Sequence, residues 1–283
     1  MIGDKVKTIF RLAFAEFGCL LRSTRMLLLL CTCVFIHTLV IQPMKNCCVL
    51  MKGKVSIFEP IVAVGNNSVS AILLPICFLI VMSGFPGNDE TEKSVHIRSG
   101  RTMWIVAQTL YAFLSSLFFM IFYLLFTIIA IFPDGKISFD FERTMTHLLT
   151  EFPEKYDTYE SMLIPANLYN QMSLRTALLR TFILFIGFYM MLAMVIMFFS
   201  MLNLKKIGIL VCGMLICLGT ISCAMRAGWM WAFPTANSIS WLHYQEFFGK
   251  EIYPMYASYL YFAGCSIVLF IMSLVAGKRY QCF

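Results

Sequence analysis

Residues Phe85 to Gln108 read FPGNDETEKSVHIRSGRTMWIVAQ. Asp89, Glu90, Glu92, Lys93, His96, Arg98 and Arg101 crowd into a short space, after which the text becomes an apolar helix without a break. Long apolar runs lie on both sides. A short charged element held between two membrane spans reads as a docking surface on one side of the bilayer, and the rest of the chain as machinery that this element would push or pull.

The composition agrees. Of the 283 residues, 60% are hydrophobic and 13% charged, whereas soluble domains carry about a quarter charged residues. Apolar runs of about 20 residues recur, each long enough to cross the ~30 Å hydrocarbon layer. The net charge of +7 needs no nucleic-acid partner, because cytoplasmic loops and membrane-surface helices collect Lys and Arg. The 11 cysteines fall mostly inside apolar runs, where Cys behaves as a small hydrophobe. None has metal-ligand spacing.

In chain order, residues 4–25 carry a helical period. Lys7, Arg11, Arg22 and Arg25 share one face, and Val6, Ile9, Phe10, Ala13, Phe17, Leu20 and Leu21 the other. This is the pattern of a helix lying in the membrane interface; the alternative is a basic flank before the first span. Span one is expected over 26–41, stopping at Pro43, and span two over 67–83 with Pro75 inside it. The charged segment 85–101 follows. Span three covers 103–132, longer than one crossing needs. Residues 133–175 form the longest polar region, followed by span four at 176–201 and span five at 207–224. Residues 226–254 mix Trp, Phe and Tyr with small polar residues and are broken by Pro234, which reads as short helices dipping into the outer leaflet and returning. Span six covers 257–276. The expected fold is all-α: one polytopic domain over 1–283 with six transmembrane helices, an N-terminal interfacial helix and a re-entrant outer segment before the last span.

Charge orients it. With both termini in the cytoplasm, the inside Lys and Arg (Lys5, Lys7, Arg11, Arg22, Arg25, Lys93, Arg98, Arg101, Lys205, Lys206, Lys278 and Arg279), set against Asp4, Glu16, Asp89, Glu90 and Glu92, give the inner side the whole net +7 and leave the outer side near zero. That is the positive-inside distribution, expected for the cell membrane, and it puts 85–101 in the cytoplasm.

No GxxxxGK[ST] loop, HExxH or GxSxG motif is present, so the chain is not expected to hydrolyse ATP or to be an enzyme. Its spans are almost free of charge, whereas proton- and ion-coupled carriers place ionisable groups there. The driving energy is therefore expected from another protein. Asn66-Asn67-Ser68 fits a glycosylation sequon.

These parts resemble the permease subunit of a type-2 ABC transporter, of the class exporting drugs, bacteriocins and polysaccharides. The closest match is Glu92 to Gln108, with an acidic residue at Glu92, the small-and-basic turn Ser99-Gly100-Arg101, then Trp104 and Gln108; Ala107 stands where the family usually has glycine. The resemblance implies a dimer of permeases, identical or paralogous, on two copies of a separate ATPase that holds ATP and Mg, with no cofactor on this chain. It implies that Glu92, Lys93, His96, Arg98 and Arg101 seat in a groove of that ATPase, with a second contact from the helix bearing Lys7, Arg11, Phe17 and Arg22. Those loop charges are also what a merely solvated loop would carry. Phe119, Phe122, Tyr123 and Phe126 with Met190 and Met194 form a candidate path for a hydrophobic or amphiphilic cargo, since Met surfaces repack around varied ligands; lipid-facing or packing bulk is the alternative. Two other classes stay open. One is an intramembrane hydrolase built on His243, Glu246 and Asn237, and the other a membrane immunity or sensing protein binding a peptide at the outer surface.

Overall fold

The computed structural model describes residues 2–87, 100–156, 158–245 and 250–277. Five helices among them are long and apolar enough to cross a membrane: Thr24–Met51, Arg101–Asp134, Leu174–Met201, Lys205–Ala224 and Met255–Gly277. A sixth forms if Glu59–Asn66 and Ser70–Gly84, bent by 86° at their junction, count as one span. The chain is thus a helical, membrane-embedded protein.

Helix α1 (Ile2–Arg22) lies against α6 (Arg101–Ile131). Three arcs run round α1. Ala13 and Leu20 are buried, and the Phe17 ring meets that of Phe118 edge-on at 5.7 Å. Next to that packed arc, Val6, Phe10, Phe14 and Leu21 stay exposed, and beyond them Lys7, Arg11 and Arg22 face outward.

The first span departs from the sequence reading. It runs as α2 (Leu27–Ile36), a π turn (His37–Ile41) and α3 (Gln42–Met51), passing Pro43 without stopping. In an α-helix, proline loses its N–H bond and clashes with the carbonyl four residues back. The π turn just before Pro43 widens the helix where that clash would fall, so the apolar stretch continues. The next segment is also helical earlier than expected. Helix α4 (Glu59–Asn66) is buried along its whole length and breaks sharply before α5 (Ser70–Val81).

At 31 residues, α6 is roughly 46 Å long, against a hydrocarbon layer of about 30 Å. Helix α7 (Leu174–Met201) is the centre of the bundle and α8 (Lys205–Ala224) packs back along it. The spanning stretch of α7 is 61% buried and that of the last span, α10 (Met255–Gly277), 17%. Between α8 and α10, the short helix α9 (Pro234–Ser238) and the turn Ser240–His243 are buried.

The polar region 133–175 folds as a cap of short helical turns over one end of the bundle, burying Met145, Leu148, Leu163, Ile164 and Leu168. A two-residue parallel pair, β1 (Val55–Ser56) with β2 (Gly135–Lys136), joins it to the connection before α4. Glu59 fastens the same junction. Its carboxylate is buried and accepts the backbone N–H groups of Ser56 at 3.2 Å and Glu142 at 2.6 Å.

Candidate functional site

Both ends of the bundle carry organised polar contacts. At one end the charged segment leaves α5 and enters α6. Of the residues that the resemblance assigns to docking, Glu92, Lys93, His96 and Arg98 lie outside the described residues; Arg101 opens α6 and is exposed. Gly100, just before it, has φ 82°, a left-handed conformation that glycine adopts at no steric cost. The Ser99-Gly100-Arg101 turn therefore needs its glycine.

The segment is tied to other helices near both of its ends. Where it begins, Lys205, the first residue of α8, donates to the carbonyls of Gly84 at 2.8 Å and Pro86 at 2.9 Å. The Arg25 guanidinium lies directly over Gly84, where it leaves no room for a Cβ. The Phe85 ring sits 5.5 Å from that of Tyr111. Two turns into α6, the buried Gln108 donates through Nε2 to Glu16 of α1. The start of α6 is thus linked to α1, and the start of the loop to the first residue of α8. A charged donor on carbonyls and an amide on a carboxylate are among the stronger neutral-to-charged hydrogen bonds.

At the opposite end the polar groups are buried. Asn66, the last residue of α4, donates through Nδ2 to Val62 O at 2.9 Å and Thr181 Oγ1 at 3.3 Å. Its Oδ1 accepts the backbone N–H of Ser240 at 2.9 Å and of Trp241 at 3.4 Å, and its carbonyl accepts Trp241 Nε1–H at 2.9 Å. One amide thus joins the α4 break, the core helix α7 and the turn before α10. Asn66 is 3% exposed, so the sequon is engaged inside the fold rather than offered as an acceptor.

The hydrolase alternative named His243, Asn237 and Glu246. The first two are brought together, and Glu246 lies outside the described residues. Ser258 of α10 bridges the pair: its hydroxyl donates to Asn237 Oδ1 at 2.7 Å and lies 2.8 Å from His243 Nε2. His243 Nδ1 faces Ile239 O at 3.1 Å, and Asn237 Nδ2 donates to the carbonyls of Trp231 and Phe233. Burial pushes the imidazole down to about 4. The neutral ring gives its one proton to Ile239 O, which leaves the single Ser258 proton shared between Nε2 and Asn237 Oδ1. A serine beside a histidine is the pairing of nucleophile and base, but His243 and Ser258 are both fully buried.

No protein-family model, no curated protein and no solved structure matches the chain.

Of the candidate cargo path, Phe119, Tyr123 and Met194 are fully buried in the bundle core, while Phe122, Phe126 and Met190 are half-buried around it. Phe119 and Tyr123 pack in one aromatic cluster with Phe78 and Tyr189, the last two stacked at 4.6 Å. The sequence marks Lys205 only as an inside charge and gives no sign of the contacts made by Glu16, Ser258 or Asn66. Asn66 alone carries a local signal, that of a turn, since Asn-Asn-Ser interrupts an apolar stretch.

Proposed function

We propose that this chain is the membrane-spanning subunit of an ATP-driven exporter of the type-2 ABC class, moving a hydrophobic or amphiphilic cargo across the cell membrane with both termini in the cytoplasm. Its energy comes from a separate ATPase, two copies of which engage two permease chains. The observation that carries this reading is the pair of ties around the charged segment: Lys205 to Gly84 and Pro86, and Glu16 to Gln108. A pull on residues 85–101 is passed to α5 and α6 through the backbone, to the start of α8 through Lys205, and to α1 through Glu16. A segment so fastened transmits force; a loop kept only for its charge has no need of such ties. Glu92, Lys93, His96, Arg98 and Arg101 supply charge-assisted contacts to the ATPase, and the basic arc of α1 supplies a second contact or a headgroup contact.

Purification of the chain with the product of a neighbouring ATPase gene tests this. Replacing Glu92 and Arg101 together is expected to release the ATPase or abolish its stimulation by the permease. Full binding and stimulation in the double variant would overturn the docking role.

The contact between Ser258 and His243 favours the hydrolase as a second reading. It weighs less because the serine is sealed inside the fold. Retention of the protein's activity in Ser258→Ala would dispose of it.

A further inference from the structure

At the end of the bundle away from the charged segment, a cavity of about 520 Å³ opens between the α4–α5 break and the cap. Its walls include Asn67, Ser68, Tyr159, Asn167, Arg226 and Trp241. Ser68, Arg226 and Trp241 also border a neighbouring, smaller space of about 190 Å³, lined further by Ala71 of α5, by residues of α8 and α9, and by Ile239 and Leu242. A volume of a few hundred Å³ with apolar walls and a few fixed polar groups is the usual form of a small-molecule site.

The walls are held in place before anything binds. Asn67 Nδ2 donates to Tyr159 OH at 2.8 Å, Asn167 Nδ2 to Trp241 O at 3.1 Å, and Trp241 Nε1 to Asn66 O. The cap, the α4 break and the turn before α10 are therefore bonded to one another around the space. Such preorganisation lowers the entropic cost of binding.

Arg226 is the one charged residue among the described lining residues of either space. Among the described residues it has no ion pair or hydrogen-bond partner for its guanidinium. It also sits just past the end of α8 with φ 47°, a position and conformation that favour glycine. A cation is favourable at a helix C-terminus, but a lysine or arginine one turn earlier would give that without a left-handed backbone. What is particular to this position is that the side chain stands where the two spaces meet.

We infer that the two adjoining spaces, which share Ser68, Arg226 and Trp241 as walls, form a binding site for an anionic amphiphile, its carboxylate or phosphate paired with Arg226 beside Ser68 and its apolar body lying along Trp241 toward the smaller space. Guanidinium recognises both oxyanions by paired hydrogen bonds. The inference goes beyond export, and because it concerns binding by the chain alone, either can fail while the other stands.

The full chain in phosphatidylcholine nanodiscs is exposed to three diazirine-bearing probes: palmitate, phosphatidylglycerol and the neutral hexadecanol. The crosslinked peptides are then mapped by mass spectrometry. Saturable labelling around Tyr159 and Trp241 by at least one anionic probe is expected, about ten-fold above the alcohol. Labelling by palmitate identifies a free amphiphile as the occupant, and labelling by phosphatidylglycerol a bilayer lipid. Arg226→Gly should lose at least ten-fold in labelling without lowering the thermal midpoint, since the backbone there suits glycine; Arg226→Lys should retain most of it. Ser68→Trp, at an exposed position bordering both spaces, should block labelling. Equal labelling by the alcohol, labelling unchanged in Arg226→Gly, or no labelling of these walls would each overturn the inference.

Discussion

The two ends of the bundle are fastened in opposite ways. At the end bearing the charged segment, few polar contacts do the holding: one lysine on two carbonyls, and one amide on one carboxylate. At the other end, Asn66, Asn237, Ser258 and His243 are almost wholly buried and bonded to one another's elements. A buried polar network is strong when every member is satisfied and costly when one is lost. The capped end is therefore built to stay as it is, and the charged end, under the proposed function, to move as a unit.

The comparison can be broken most severely at Asn66. Asn66→Ala removes the acceptor for two buried backbone donors, and each such orphan costs ~1–3 kcal/mol. A loss of about 3 kcal/mol is expected, read as a drop in the thermal midpoint of the purified chain. A neutral outcome would mean that the capped end is not held by this residue.

His243 makes the same end sensitive to pH. The folded ring titrates at about 4 against an ordinary value of 6.5, so below 6.5 the unfolded chain takes up a proton that the folded chain refuses. Stability is therefore full above pH 6.5, falls as pH drops toward 4, and levels off below. By linkage the loss is about 3 kcal/mol. Stability measured against pH in the wild type and in His243→Gln checks this, since the variant should lack that part of the slope.

Lys205 gives the smallest effect on global stability. Lys205→Met should cost about 1 kcal/mol or less, because the lysine is only partly buried. Hydrogen exchange at the amides of residues 84–87 should nevertheless rise several-fold, and transport coupling should weaken. A global loss as large as that of Asn66→Ala would erase the distinction between the two ends.

Much of this architecture is legible in the chain. Apolar runs mark the spans because crossing the bilayer demands about 20 such residues whatever the tertiary detail. The basic arc of α1 follows from the 3.6-residue period alone. The end of the first span is not legible at Pro43, because proline ordinarily stops a helix and here a π turn removes the clash that would stop it. The cap was hidden because its turns are too short to show a period. The polar contacts were out of reach for a different reason. Glu16 and Gln108 are 92 residues apart and Asn66 and Ser240 174 apart, and a lone Ser in an apolar helix, as at Ser258, carries no local sign of its partner.

The central claim is that residues 85–101 are a cytoplasmic lever gripped by a nucleotide-hydrolysing partner. A photo-crosslinking amino acid placed at Lys93, in cells that express the chain with its neighbouring genes, tests it most directly. The account predicts a crosslinked product that mass spectrometry identifies as an ATPase, together with protection of this segment from a membrane-impermeant reagent added outside the cell. Labelling of the segment from outside, or crosslinks to lipid alone, would contradict it.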